Sequence, residues 1–443
     1  MKKRVLVSVT VFLFAFMNLY ALDLDLELAK ELALKNFPGY LAEIEALKSS
    51  QSARWNAYTG LLPSASLNAS QTRYNPDQTI GTFKVDKLNT YGVSITQPLF
   101  NGGKIWLGAR MQEDAVKISN ENLRMSKLET LAGVESEYQA VLQNRKLLEI
   151  AKLDLESSTI NLEIAQAKYD SGLLSKGDFL QIQAEKTNKL VGVLQMENLY
   201  QTSKMNLMNY LQIGHIGEIA PIDSTSYYGL MKDLQNLTLA EIDSISNGLT
   251  QYAVEHSPAV QISRIAVNTS KKALLMAGGN FLPSLNLSYS KNWIKYDYMN
   301  NYDNSESITL AASLPIFPIV DNITSYTQAH HDLKEAQYAY KYSEDAILTG
   351  IKAQFLNLVS SANSINAARS SREQAKETYA QMQESFSQGM ISANDLNSAQ
   401  TLYLSTQNQY VQSMFNFLGA KTALLQQLGS EEDILQELIE KNI

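Results

Sequence analysis

The feature that most constrains this chain of 443 residues is an internal repeat. Short motifs from the first half recur in the second half, in the same order and at nearly the same spacing. The matching pairs are Asn36–Tyr40 with His256–Val260, Leu62–Ser64 with Leu282–Ser284, Gln97–Phe100 with Leu314–Phe317, and Gly172 and Asp178 with Gly389 and Asp395. Such self-similarity indicates one structural unit that is present twice.

The repeat divides the chain into five predicted segments. They are a signal peptide 1–21, a first structural repeat 22–213, a middle insert 214–237, a second structural repeat 238–429 and a C-terminal tail 430–443. The signal peptide is predicted from Lys2, Lys3 and Arg4, which precede the apolar run Val5–Tyr20 and the small Ala21. An N-terminal membrane anchor is the alternative, but the apolar run is short for a spanning helix.

Two segments of each repeat alternate between apolar and small polar residues, which is the period of a β-strand. Tyr91, Val93 and Ile95 alternate with Gly92 and Ser94, for example. The alternation predicts four strands of about ten residues, a length that fits transmembrane β-strands. They run around Ser64–Arg73, Thr90–Leu99, Ser284–Trp293 and Ser307–Phe317, and the polar stretches Tyr74–Asn89 and Tyr296–Ser305 are predicted loops.

Each repeat then continues as a very long helical hairpin. Lys104–Tyr169 contains no proline and would form a helix of ~100 Å at ~1.5 Å per residue. Its apolar residues recur at the three- and four-residue steps of a coiled-coil seam. After a turn at Gly172, a second helix is predicted from Asp178 to about Ile213. The second repeat is predicted to form the same hairpin, with helices at Asn322–Ser387 and Asp395–Leu428 and a turn at Gly389.

Four strands are too few to close a barrel, since about eight are the practical minimum. An open sheet in lipid would leave backbone groups unpaired at its edges, which is not tolerated. If the strands enter a membrane, several chains must therefore share one barrel. This reasoning predicts an oligomer without fixing the number of subunits.

Composition and motifs argue against several other classes of protein. The formal net charge of −8 argues against a nucleic-acid partner, because phosphate binding needs a basic face. The absence of cysteine excludes disulfides and thiolate metal sites. The adjacent His330 and His331 lack metal-site spacing, and Gly172–Asp178 has its lysine misplaced for a phosphate-binding loop. We therefore predict no enzyme activity, no cofactor and no bound metal.

The segment Gln97–Gly103, which leads into a long helix, resembles the strand-to-helix junction of the TolC-like outer membrane efflux protein family. Three other motifs are also similar to that family. They are Asn36-x-Pro38, the Leu-Pro before each pair of strands, and the turns in which a glycine is followed by five residues and then an aspartate. The resemblance covers nearly the whole chain after the signal peptide.

The resemblance implies a mixed α+β membrane protein that is a homotrimer. Its twelve-stranded outer-membrane β-barrel, with four strands per chain, would continue into a long periplasmic α-helical barrel of coiled-coil hairpins. The insert 214–237 and the C-terminal tail would form an equatorial belt. The implied partners are outer-membrane lipid, a periplasmic adaptor (membrane fusion) protein and an inner-membrane transporter.

The resemblance also implies roles for residues at the two hairpin turns. Gly172, Leu173 and Leu174 and their counterparts Gly389, Met390 and Ile391 would dock the adaptor. Asp395 matches an acidic residue that rings the periplasmic gate, with Ser398 where well-known members have a second acid. Leu402 would add an apolar constriction, and Asp178 matches a residue that latches the closed end. Alternatively, Asp178 and Asp395 serve only as helix N-caps.

The resemblance implies an exit duct of a tripartite efflux pump, which passes small molecules from the periplasmic adaptor and inner-membrane pump to the outside. An exit duct for type I protein secretion is an alternative that the sequence does not separate from the first. A periplasmic coiled-coil scaffold without a pore is a further alternative, but it would not need the alternating strands. The exported substrate and the class of pump are not encoded in any motif.

Overall fold

A computed structural model of the chain describes residues 24–222, 225–317, 319–430 and 435–442. The predicted signal peptide 1–21 lies outside the described residues, as do parts of the insert and of the C-terminal tail. Within the described ranges, no helix combines the length and the apolar character needed to cross a membrane.

The helices and strands follow the same order in both halves of the chain. The first half contains α1 (Leu26–Asn36), α2 (Pro38–Thr59), β1 (Ser64–Ile80), β2 (Phe83–Asn101), α3 (Lys104–Asp170) and α4 (Lys176–Leu211). After α5 (Thr225–Gln235), the second half contains α6 (Leu239–His256), α7 (Pro258–Gly278), β3 (Ser284–Tyr296), β4 (Asp303–Ser313), α8 (Val320–Ser387), α9 (Ala393–Leu428) and α10 (Leu435–Asn442). The long helices correspond closely in length, with 67 residues in α3 and 68 in α8.

Contacts between residues divide the chain into two compact units, each drawn from both halves of the sequence. The tip unit, which contains the hairpin turns, comprises the chain up to Phe37 together with Thr130–Thr238 and Leu356–Ala423. The sheet unit comprises Pro38–Glu129, Leu239–Phe355 and the chain from Leu424 onward. Each unit therefore takes residues from both sequence repeats, and the repeat boundaries stay a prediction.

The sheet unit contains one antiparallel sheet with the strand order β1-β2-β3-β4. Its register aligns the alternating residues across all four strands. Ala65, Ile95, Tyr289 and Ile308 form one row of cross-strand neighbours. The adjacent row, on the opposite face, consists of Ser66, Ser94, Ser290 and Ser307, whose hydroxyls pair at 2.7 Å between β1 and β2 and at 2.9 Å between β3 and β4. The sheet thus has a mostly apolar face, interrupted by the ion pair of Lys291 with Glu306, and a small polar face, as the alternation predicts.

Several strand boundaries differ from the sequence-based prediction, and β4 begins at Asp303, inside the predicted loop Tyr296–Ser305. The predicted loop Tyr74–Asn89 is mostly strand, because β1 and β2 continue to pair as far as Ile80 and Phe83. The connecting turn contains Gly81, whose φ of 63° lies in the left-handed region that glycine tolerates. The β1 part of this extension is almost entirely exposed, so polar side chains are compatible with a strand there and polarity alone does not indicate a loop. In contrast, β4 ends at Ser313 rather than Phe317, since Pro315 cannot donate to a strand ladder.

Two glycines allow close backbone contact at the junction between strand and long helix. Gly102 has a φ of 68°, and a Cβ atom added there would lie 2.1 Å from the carbonyl oxygen of Gly279. A Cβ atom added at Gly279 would lie 2.3 Å from the carbonyl oxygen of Gly102. No side chain fits at either position, which explains the glycine in the Asn-Gly-Gly sequence that follows β2.

The tip unit contains a core in which Tyr138 of α3 holds two other segments. Its hydroxyl donates to the carbonyl oxygens of Leu24, at 3.0 Å, and Ala220, at 2.6 Å. Burial raises the pKa of Tyr138 to about 12. A backbone bridge also joins Leu24 to Ile219. The first described residues and the insert are thereby fixed against α3.

Candidate functional site

The two hairpin turns in the tip unit have the same backbone geometry. Gly172 and Gly389 adopt φ values of 75° and 79°, which only glycine adopts without strain. At each turn the glycine N–H donates to the carbonyl oxygen of the residue three positions earlier. The N–H of the following residue donates to the carbonyl oxygen five positions earlier, which belongs to Lys168 in the first turn and to Ser385 in the second. This pair of bonds is the Schellman motif, which satisfies carbonyl groups at the end of a helix. The sequence therefore ends α3 and α8 by the same device.

The returning helices begin with serine N-caps that bond the aspartate three residues on, so the alternative prediction of Asp178 and Asp395 as the N-cap residues is wrong. Ser175 and Ser392 are the N-cap residues, whereas Asp178 and Asp395 occupy the third helical position. Each serine Oγ accepts from the aspartate N–H, at 3.1 and 3.2 Å, and donates to its carboxylate at 2.7 Å. The Asp395 carboxylate also accepts from the Ser392 N–H at 3.1 Å. The serine-to-aspartate spacing is a capping-box signal that was available in the sequence.

The four apolar residues of the turns divide into an outward pair and an inward pair. Leu173 is 78% exposed and Met390 is 68% exposed. Leu174 and Ile391 are half-buried against one shared core cluster. That cluster includes Ala165, Ile182, Tyr379, Phe386, Ala393, Leu396 and Ala399. The two turns are therefore packed together by their inner residues, and each keeps one large apolar side chain in solvent.

Three of the predicted gate residues lie along one exposed face of α9. Asp395, Ser398 and Leu402 are spaced by three and four residues, which places them on the same side of a helix. All three are exposed in the single chain, and Leu402 is 53% exposed. Hydrogen bonds from the Ser392 side chain and backbone hold the pKa of Asp395 below its usual value. The carboxylate therefore stays charged at neutral pH.

The corresponding face of α4 is partly occupied by contacts within the chain, although Gln181, the counterpart of Ser398, is exposed. Asp178 is half-buried, and Glu185, seven residues further on, pairs with Lys189 at 3.3 Å. Lys189 also pairs with Asp154 of α3 at 3.2 Å, and both side chains in that pair are about nine-tenths buried. The first returning helix is thus tied to its own hairpin, whereas α9 leaves its face free.

Two further contacts in the tip unit were not predicted from the sequence. The buried Asn161 donates to Tyr379 at 3.1 Å and to Gln400 at 3.0 Å, and so joins α3, α8 and α9. Lys168 donates to the carbonyl oxygen of Phe386, and its ammonium lies 4.7 Å from the centre of that ring. No sequence pattern distinguishes Asn161 from the other polar residues of α3. The pairing of Lys168 with another hairpin has no local signal.

The two-faced sheet and the paired helical hairpins with matched turns define a class of protein, the channel subunits of the bacterial outer membrane. A family model described as "Outer membrane efflux protein" matches residues 31–211 and 249–430, and the chain belongs to that family.

The chain is also similar to individual proteins. It is 23% identical over 433 residues to the alkaline protease secretion protein AprF of Pseudomonas aeruginosa, covering 93% of this chain and 85% of that protein. It is 22% identical over 395 residues to outer membrane protein TolC of Salmonella enteritidis, with 86% and 77% covered. The solved structure of CusC has the same fold, with a TM-score of 0.80, 13% identity and 93% of each chain covered.

Membership of the family confirms the resemblance drawn from the sequence, the outer-membrane location and the conclusion that this is a channel protein rather than an enzyme. The α+β fold, with four strands per chain and two long hairpins, is also confirmed. The roles of the turn residues stay predictions.

Proposed function

We propose that three copies of this chain form the exit duct of a tripartite efflux pump, which passes small molecules from a periplasmic adaptor and an inner-membrane transporter to the outside. The observation that carries this proposal is the open sheet. Its outer strands, β1 and β4, have no partner on their outer edges within the described chain. Unpaired edges cannot face lipid.

Strand pairing between neighbouring copies would satisfy the unpaired edges of the sheet. If β1 of one copy pairs with β4 of the next, three copies give twelve strands and no free edge. The apolar face carries large exposed side chains, among them Leu67, 80% exposed, and Ile308, 76% exposed. Exposed apolar side chains on a closed sheet suit contact with lipid, and the serine row suits a wet interior.

The exposed face of α9 supports a role for the second turn as the periplasmic gate. Three copies of Asp395 around one axis would set a negative potential and favour cations. Ser398 adds no second charge, and Leu402 would narrow the passage. Asp178 would hold the first turn in place rather than line the opening, because other residues on its face of α4 make contacts within the chain.

The exposed Leu173 and Met390 support docking of the adaptor at the turns. Large apolar side chains at exposed positions mark surfaces that a partner covers. Gly172 and Gly389 set the turn, while Leu174 and Ile391 anchor it from inside. Docking would therefore use one side chain from each turn.

Protein export is the second candidate, and the similarity to AprF favours it, because that relative is described as a protease secretion protein. A strain that lacks this chain distinguishes the two. Efflux of small molecules predicts higher accumulation of a fluorescent dye with an unchanged set of secreted proteins. Export of proteins predicts the loss of a secreted protein with normal dye accumulation.

A pair of adjacent residues tests the membrane sheet. Ile308→Arg places a charge on the apolar face and should destabilise the inserted trimer by about 2–4 kcal/mol if the site is near mid-bilayer. Ser307→Arg, on the other face, should assemble normally. The yield of trimer in outer-membrane fractions is the measurement, and equal yields from the two variants would refute the assignment of the faces.

Charge placed at the turns tests docking separately. Leu173→Asp and Met390→Asp should reduce transport while the trimer remains intact. Leu239→Asp is the matched control, since Leu239 is 85% exposed but lies outside the turns. Crosslinks from the adaptor to position 173 or 390 would support the proposal, and crosslinks confined to the insert would contradict it.

A further inference from the structure

A large cavity in the tip unit lies away from both turns. Its volume is about 870 Å³, within the range of sites that hold drug-sized ligands. It lies among α3, α5, α8 and α9. Buried apolar side chains form part of its wall, including Leu142, Met231, Ile365, Val411 and Phe417.

The cavity wall is rich in cations, although the chain as a whole carries a net charge of −8. Among the described residues, five basic and two acidic side chains line it. The basic side chains are Arg145, Lys146, Arg369, Arg372 and Lys376. Both acids are already paired, Glu149 with Lys146 at 2.8 Å and Glu373 with Arg372. The remaining cations form no ion pair with any described carboxylate.

One of these cations is incompletely satisfied. Arg145 donates from Nη1 to the carbonyl oxygen of Ile219 at 2.8 Å. Its Nε is shielded from solvent and has no hydrogen-bond partner in the described structure. A buried donor without a partner is costly, which suits a position that accepts a ligand.

Aromatic side chains contact two of the other cations at the cavity. The Arg372 guanidinium lies 4.2 Å from the centre of the Tyr410 ring. Hydrogen bonds that Arg369 donates to the hydroxyl oxygens of Tyr410 and Tyr228 raise the pKa of Arg369. Tyr403 and Tyr227 also line the cavity. Flat aromatic walls beside fixed positive charges suit a ligand that has an apolar body and an anionic group.

We infer that this cavity binds an amphipathic organic anion, with a carboxylate, sulfonate or phosphate held by Arg145, Arg369 and Lys376 and an apolar body held by the buried wall. The existence of such a site does not depend on which cargo the duct carries. A peptide segment of another protein and a second copy of this chain are the competing occupants.

Two dyes that share a ring system test the inference. Anilinonaphthalenesulfonate carries a negative charge, whereas phenylnaphthylamine is its uncharged counterpart. Calorimetric titration of the full-length trimer in nanodiscs, corrected with empty nanodiscs, measures both affinities. We expect the anion to bind at least about tenfold more tightly, since hydrogen bonds to charged groups are the stronger ones.

Three variants separate the charged wall from the apolar wall. Arg369→Gln/Lys376→Gln should weaken binding of the anionic dye about tenfold and leave the affinity for the neutral dye unchanged. Met414→Trp, which fills the cavity, should weaken both dyes. Arg264→Gln/Lys271→Gln, a pair of exposed cations on α7, is the matched control and should change neither. Thermal unfolding of each trimer checks that the fold is retained.

Several results would overturn the inference. Equal binding of the two dyes, or an unchanged anion affinity in Arg369→Gln/Lys376→Gln, would exclude recognition of charge. Binding by dissociated subunits but not by the trimer would mean that a second copy covers the cavity. Loss of dye binding on addition of the purified adaptor, with no effect of Met414→Trp, would assign the surface to a protein partner.

Discussion

The two hairpin turns of the tip unit are built alike but differ in the helix that follows each of them. Both use a left-handed glycine, a serine N-cap and an aspartate at the third helical position. After the first turn, Lys189 on this face of α4 forms an ion pair with Asp154 of α3. After the second, the face of α9 is exposed. The comparison teaches that local sequence repeats set the turn, while contacts between helices decide which turn is free to line an opening.

The largest effect is expected from removing the ion pair that ties down the first hairpin. Lys189→Met leaves the Asp154 carboxylate buried without its cation, and should destabilise the tip unit by about 3 kcal/mol. Lys186→Met is the matched control on the same helix and should have little effect. The midpoint of thermal unfolding, followed by circular dichroism, is the measurement.

A second substitution sharpens this test. Lys189→Met/Asp154→Leu removes both charges and should recover most of the lost stability, because the cost comes from the unpaired carboxylate. If Lys186→Met is as damaging as Lys189→Met, the two faces do not differ as described.

A smaller effect is expected at the glycines, and it should be the same in both turns. Gly172→Ala and Gly389→Ala each force a left-handed residue to carry a Cβ atom, at a cost of about 1–2 kcal/mol. No atom lies within 4 Å of a Cβ at Gly172, so backbone strain alone decides the result there. Unequal losses of thermal stability would show that the turns are not equivalent.

Much of this arrangement could be predicted from the sequence, because it depends on local patterns. The long helices, the turns at Gly172 and Gly389 and the two faces of the sheet all follow from periodicity and from glycine chemistry. Asp178 and Asp395 were expected as possible N-caps, and the serines three residues earlier could have corrected this.

Other features depend on contacts between distant segments. The burial of Leu174 and Ile391 in one shared cluster, and the network around Asn161, require the two hairpins to meet. The cation-lined cavity gathers residues from four helices, none of which carries a motif. Periodicity indicates which face of a helix is buried but not which partner covers it.

The pH dependence of conduction should follow the charge of Asp395. The capping hydrogen bonds lower the pKa of Asp395, so the carboxylate remains charged until the pH falls below the usual pKa of an aspartate, about 3.9. Cation preference should persist to that pH and fall as the pH drops further. Asp395→Asn should show no such fall, and an identical pH profile in the two proteins would exclude Asp395 as its source.

The most direct test of the second turn as the gate is single-channel recording of Asp395→Asn beside Asp178→Asn in planar bilayers. Asparagine retains an oxygen that can accept from the backbone N–H of residue 392, so the change removes the charge and keeps much of the cap. We predict that Asp395→Asn loses cation preference and block by divalent cations from the periplasmic side, while Asp178→Asn keeps both. Unchanged selectivity and block in Asp395→Asn would contradict the account.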